Sequence, residues 1–210
     1  MDHISERLKR FRLPVGIGFI LSVALVVLVI SNRTLPIDRP LLLHLHRFAS
    51  PFLDTFFTNF SYLGDPAVLF VVCAVYGLYV AYRRDWSRAR FFVVAAGGAS
   101  VINVVGKALV HRVRPDLWPR IIQETSFSFP SGHAMGSLAV AMTLIYLYWH
   151  QAPQRLMVTV GALYVLLIGL SRLYLGVHFP SDVLAGWLIS ATWVGILIMF
   201  APWIRGRYAK

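Results

Sequence analysis

Charge is scarce in this sequence, and acidic charge is scarcest. Only 14% of the 210 residues are charged, with 9 Asp and Glu against 20 Lys and Arg, whereas a soluble domain carries about 25%. Hydrophobic residues take up 58% of the chain, and the mean hydropathy is +0.66. Too little polar surface is left to cover a water-soluble domain, so the excess apolar residues require a lipid solvent. Cysteine is nearly absent. The single Cys73 excludes an intrachain disulfide, and its place in an apolar run points to a buried, inert thiol. The chain lacks internal repeats, heptads and low-complexity tracts, which argues against solenoids and coiled coils. The first apolar run also lacks a small-x-small cleavage site, since it exits through Ile30-Ser31-Asn32-Arg33. It reads as an uncleaved anchor rather than a secretory signal.

Hydrocarbon about 30 Å thick is crossed by roughly 20 apolar helical residues. Six runs meet that description, approximately 14–31, 66–82, 91–109, 131–149, 156–174 and 183–203. The expected fold is therefore all-α, a bundle of six transmembrane helices in a single domain over 1–210. The net charge of +11 does not indicate a nucleic-acid binder, because the basic residues cluster between apolar runs rather than along one polar face. Six crossings place both termini on one side. That side holds Arg7, Lys9, Arg10, Arg12, Arg83, Arg84, Arg88, Arg90, Arg155, Arg205, Arg207 and Lys210, twelve cations against eight opposite. The positive-inside rule puts it in the cytoplasm. Between the first two spans, residues 32–65 repeat Leu and Phe at helical spacing beside His44, His46, Arg47 and Asp54. This pattern predicts a helix lying in the outer interface. Small residues in the third span (Ala95, Ala96, Gly97, Gly98, Ala99) predict close helix packing, and Asp65 is placed to cap the second span.

Three polar clusters interrupt the apolar chain, and the topology puts all of them at the outer face. Lys107 and, after six intervening residues, Arg114-Pro115 stand at the end of the third span. Pro130-Ser131-Gly132-His133 opens the fourth. Ser171-Arg172, His178 and Asp182 bridge the fifth and sixth. Three cations, two of them planar forks, suit phosphate oxygens. Ser131 adds a hydroxyl, and Gly132 allows close approach. With Pro130 starting a helix, the N–H groups of Ser131, Gly132 and His133 are expected to be free for an anion. Binding alone needs no histidine pair. Asp182, four residues after His178, is placed to bond one ring nitrogen and leave the other free to attack phosphorus. His133 suits the general acid for the leaving oxygen and later the base for water.

These residues resemble the three-part signature of the type 2 phosphatidic acid phosphatase superfamily, which includes vanadium haloperoxidases and glucose-6-phosphatase. The match comprises Lys107 with Arg114-Pro115, then Pro130 to His133, then Ser171-Arg172, His178 and Asp182, within residues 107–182, and no signature position departs from it. The resemblance implies a metal-independent hydrolase working through a phosphohistidine, with no cofactor. His178 would be the nucleophile, His133 the acid and base, and Asp182 the orienting carboxylate. Lys107, Arg114, Ser131, Gly132 and Arg172 would hold the phosphate. A zinc site from His133, His178 and Asp182 is conceivable, but the nearby cations would repel the metal.

The expected reaction is hydrolysis of a phosphomonoester or pyrophosphate on a lipid at the outer leaflet. Undecaprenyl pyrophosphate, phosphatidylglycerophosphate and phosphatidate all fit, and no residue selects among them. A lipid phosphotransferase using the same site is the alternative enzyme, and a lipid transporter or binding protein that kept the fold is the non-enzymatic one. Short loops point to a bacterial inner membrane. The sequence sets no oligomeric state. His111, Arg112, Asp116 and Glu124 neighbour the signature and are headgroup candidates as a group, while His3, His44, His46 and His150 read as solvated or interfacial. Trp118, Trp149, Trp187 and Trp203 read as belt or packing residues.

Overall fold

The computed structural model describes residues 2–200, with side chains from residue 11 onward. Among these residues there are eight helices and no strand: α1 (Asp2–Ile30), α2 (Leu35–His46), α3 (Pro51–Tyr62), α4 (Pro66–Tyr82), α5 (Trp86–Val110), α6 (Gly132–Tyr148), α7 (Gln154–Tyr174) and α8 (Pro180–Phe200). The six apolar runs correspond to α1, α4, α5, α6, α7 and α8. The end of the sixth run with Trp203, the side chains of His3, Arg7, Lys9 and Arg10, and residues Arg205, Arg207 and Lys210 lie outside what is described. From Phe11 onward α1 is long and apolar enough to cross a membrane, as are α5, α7 and α8. Together α3 and α4 form a fifth candidate, bent by 43°. At 17 residues, α6 sits near the lower limit of about 17 for a crossing, and it packs among α4, α5, α7 and α8. The chain is an all-helical integral membrane bundle.

Residues 32–65 form two helices instead of the one expected. Ser50 is extended and accepts a hydrogen bond from the Leu53 N–H at 3.4 Å, and Pro51 fills the first turn. A cap followed by proline starts a new helix there. The α3 helix then docks on the end of α7, where the Tyr174 hydroxyl donates to Asp54 Oδ1 at 2.6 Å and Phe57 packs on the Tyr174 ring. Asp65 caps α4 through the Ala67 N–H at 2.8 Å.

The main core joins α4, α5, α6 and α8 through Leu69, Phe92, Ala95, Ala99, Ala139 and Val194. The small residues of α5 act as expected, with Gly98 facing the Trp193 ring and the Trp193 indole N–H donating to the Ala95 carbonyl at 3.1 Å. Two glycines position the polar end of the bundle. Gly176 adopts φ +67° between α7 and α8, a conformation that costs glycine little. Gly186 lets α8 approach α6 so closely that an added Cβ would lie 2.9 Å from the Ser131 carbonyl oxygen and 3.0 Å from Ala134 Cβ. Gly186→Ala should therefore lower the detergent melting temperature, at a cost of about 1–3 kcal/mol. An unchanged melting temperature would show that the two helices separate freely.

Candidate active site

Helix α5 ends at His111, whose left-handed backbone (φ 49°) turns the chain out of the helix. From there to Ser131 the chain has neither helix nor strand, and this loop lies across the ends of α5, α6, α7 and α8. Near the end of α5, Lys107 donates to Ser126 Oγ at 2.7 Å and to the Phe127 carbonyl at 2.8 Å. Arg114 donates from Nε to the Ser126 carbonyl at 2.8 Å and from Nη1 to the Val177 carbonyl at 2.8 Å. Arg172, 1% exposed at the end of α7, donates to Ser61 Oγ of α3 and to Glu124 Oε1. Glu124 also pairs with Arg114 Nη2 at 3.4 Å, so one carboxylate bridges both guanidiniums. The Nε of Arg172 is buried and has no hydrogen-bond partner among the described residues.

His178 occupies the short connection after Gly176 and is 1% exposed. Its Nε2 lies 3.0 Å from Arg114 Nη1. A guanidinium can only donate, so Nε2 accepts and a neutral ring carries its proton on Nδ1. Burial holds this imidazole well below its ordinary pKa, and the charges of Arg114, Arg172 and Lys107 push the same way. The ring is therefore neutral, with its lone pair on Nε2.

The expected bond between Asp182 and His178 is replaced by a looser arrangement. Asp182 Oδ2 is 3.6 Å from Nδ1, beyond hydrogen-bond length. The carboxylate is drawn instead to Ser128 Oγ at 2.5 Å, the Phe179 N–H at 2.8 Å and Arg112 Nη1 at 2.5 Å. Ser128 Oγ stands between the two, 3.4 Å from Nδ1. A second expectation is corrected at the start of α6. Pro130 precedes the helix instead of opening it. Ser131 is the cap residue, accepting from the Ala134 N–H at 3.5 Å, and its own N–H is not free but donates to the Asp182 carbonyl at 3.1 Å. That bond ties the second cluster to the third. Gly132 follows, packed near Asn103. His133, 6% exposed, interacts electrostatically with Arg172, His178, Arg114 and Lys107.

All eight residues singled out in the sequence thus meet at one end of the bundle. Others were not singled out, among them Asp38, Ser61, Asn103, Ser126 and Ser128. Arg112 and Glu124 had been grouped only as possible headgroup neighbours. Of that group, His111 instead packs edge-on against Phe127. His46, read as solvated or interfacial, stacks on Trp118 with centroids 4.1 Å apart. Polarity interrupting a generally polar loop carries no signal, so only the Arg112 guanidinium beside an apolar helix end gave a hint. A cavity of about 570 Å³ opens from Lys107, Ser126 and Gly132 and descends between α4, α5 and α6 along Leu69, Cys73, Phe92 and Met135. Chemically, the site offers a basic cradle, an unprotonated ring nitrogen and an apolar recess beside them.

The family model of the PAP2 superfamily matches residues 88–205. Phosphatidylglycerophosphatase B of Bacillus subtilis is 33% identical over 156 residues, covering 71% of this chain and 73% of that protein. An undecaprenyl-diphosphatase of Sulfolobus acidocaldarius is 31% identical over 61% of this chain and 62% of its own length. Among solved structures, the transmembrane PAP2-type phosphatidylglycerolphosphate phosphatase of Bacillus subtilis superposes with a TM-score of 0.80 at 27% identity, over 88% of this chain and 94% of that one. Glu124 occupies one nitrogen of each guanidinium and offsets part of their charge. Glu124→Gln should therefore bind orthovanadate about three- to tenfold more tightly by calorimetry, a gain of up to about 1.4 kcal/mol. Weaker binding would show that the carboxylate instead holds the arginines in place.

Proposed function

The chain belongs to the PAP2 superfamily, and on that footing we propose that it is a membrane lipid phosphatase acting through a phosphohistidine on His178. The carrying observation is the convergence of Lys107, Arg114, Arg172, His133 and His178 around one buried cradle beside an apolar recess. The lipid headgroup phosphate enters the cradle, displaces Glu124, and takes the donors of Arg114, Arg172 and Lys107 on its non-bridging oxygens. Arg114 Nη1 leaves Nε2 for the phosphoryl oxygen, and Nε2 attacks phosphorus in line with the leaving oxygen. With the bound phosphate offsetting the cations, His133 takes up a proton and donates it to the departing alcohol or phosphate, then removes one from the water that hydrolyses the phosphoimidazole. The cations and the N–H groups of Gly132 and His133 in the first turn of α6 balance the charge that spreads over the equatorial oxygens. No step calls for a metal ion.

An apolar recess opening from the cradle supports a lipid over a soluble phosphate ester, because an alkyl chain can lie there while the headgroup reacts. The Lys/Arg bias supports both termini in the cytoplasm and a cradle that faces outward, since Arg83, Arg84, Arg88 and Arg90 lie where α4 ends and α5 begins, away from Lys107. Substrates of the relatives point to polyprenyl pyrophosphates and phosphatidylglycerophosphate as the first to test. Detergent-purified protein should release inorganic phosphate from such a lipid panel with EDTA present. Strict dependence on an added divalent metal would contradict the mechanism, and label appearing on a second lipid would identify a transferase. In the same assay His178→Ala should lose about three orders of magnitude or more in kcat, and wild-type turnover in that variant would refute the assignment.

A further inference from the structure

Behind the candidate nucleophile lies a buried network that the phosphate cradle does not use. Arg112, 8% exposed, spans two carboxylates with separate nitrogens. Nη1 donates to Asp182 Oδ1 at 2.5 Å and Nη2 to Asp38 Oδ2 at 2.8 Å. Asp38 comes from α2, outside the residues matched by the family model, and is 2% exposed. It also accepts from Ser181 twice, through the N–H at 2.9 Å and the hydroxyl at 2.6 Å. That hydroxyl in turn accepts from Arg112 Nη1 at 2.7 Å. Thr34 Oγ1 takes a further bond from Nη2 at 3.0 Å, and the Phe179 ring covers the guanidinium at 4.3 Å.

We propose that Asp38 is a positioning residue for the reaction, holding Arg112 in a bridging pose that leaves Asp182 Oδ2 for Ser128, whose hydroxyl oxygen faces His178 Nδ1. The reason is the fork geometry of the guanidinium. An arginine that meets a single carboxylate prefers to engage both of its oxygens side by side. If Asp38 lost its charge, Arg112 would turn both nitrogens onto Asp182 and draw Oδ2 away from Ser128 and the Nδ1 side of the ring. The proton would then lose its fixed place on Nδ1, and with it the attacking lone pair on Nε2. Asp38 touches neither the ring nor the phosphate, so its effect falls on the chemical step and not on binding. The helix α2 is thereby part of the catalytic apparatus.

This rests on His178 being the nucleophile, and the test separates the two. Purified variants are assayed by phosphate release from the preferred lipid. Asp38→Asn should lower kcat about ten- to a hundredfold, the range that outer partners of a histidine command, while KM and the vanadate inhibition constant stay within about twofold. Asp38→Glu, which restores the charge on a longer arm, should recover part of kcat. Ser181→Ala removes only the shared hydroxyl and should lower kcat severalfold at an unchanged melting temperature, which decides the matter if Asp38→Asn fails to fold. Wild-type kcat in the folded Asp38 and Ser181 variants, or a rise in KM without a fall in kcat, would overturn the proposal. Turnover by His178→Ala in the same assay would instead remove the nucleophile assignment on which it stands.

Discussion

A guanidinium buried at the end of an apolar bundle must find its counter-charge inside the protein. Arg112, Arg114 and Arg172 are all at most 8% exposed, where an unpaired charge is costly. Their partners are drawn from distant parts of the chain: Asp38 from α2, Glu124 from the loop, and Asp182 from the first turn of α8. This need for pairing folds the irregular loop and the short helix α2 onto the ends of α5, α6, α7 and α8. Apolar packing builds the bundle, and charge pairing closes its polar end.

The three arginines divide the work. Arg112 is fully committed to Asp38 and Asp182 and faces away from the cradle, so it sets the surroundings of the imidazole. Arg114 and Arg172 share one carboxylate between them, and Arg172 Nε has no partner among the described residues. The second pair is thus under-neutralised and suited to a dianion that brings more charge than Glu124 supplies. Burial first, and the same excess of positive charge second, keep the His178 ring neutral. On the proposed reading, one electrostatic imbalance both attracts the phosphate and prepares its acceptor.

Much of the bundle was legible because hydrophobic run length is a strong local signal. All six runs appear as helices over their described residues, and the capping role of Asp65 followed from its place before an apolar run. The cradle cations were legible because charge beside a membrane helix is rare enough to stand out. The remaining features depend on contacts far apart in sequence. Asp38 meets Ser181 across 143 positions, and Ser128 reaches Asp182 across 54. Nothing near either residue marks it, since polar residues are ordinary in loops and at interfaces. Residues 32–65 misled for a different reason. Their Leu and Phe spacing suits one helix as well as two, and only the Ser50-Pro51 start divides them. The Ser131 N–H looked free because its acceptor, the Asp182 carbonyl, belongs to another helix.

The central claim is that phosphorus passes through a covalent bond to the imidazole of His178. The most direct measurement is acid-free rapid quenching of the enzyme with lipid labelled at its phosphate, followed by mapping of the label by mass spectrometry under alkaline conditions, where phosphohistidine survives. The account predicts label on the peptide holding His178, formed within one turnover and chased by unlabelled substrate. Label on another residue, or none while single-turnover hydrolysis proceeds in a His133→Ala enzyme that should accumulate the intermediate, would contradict it.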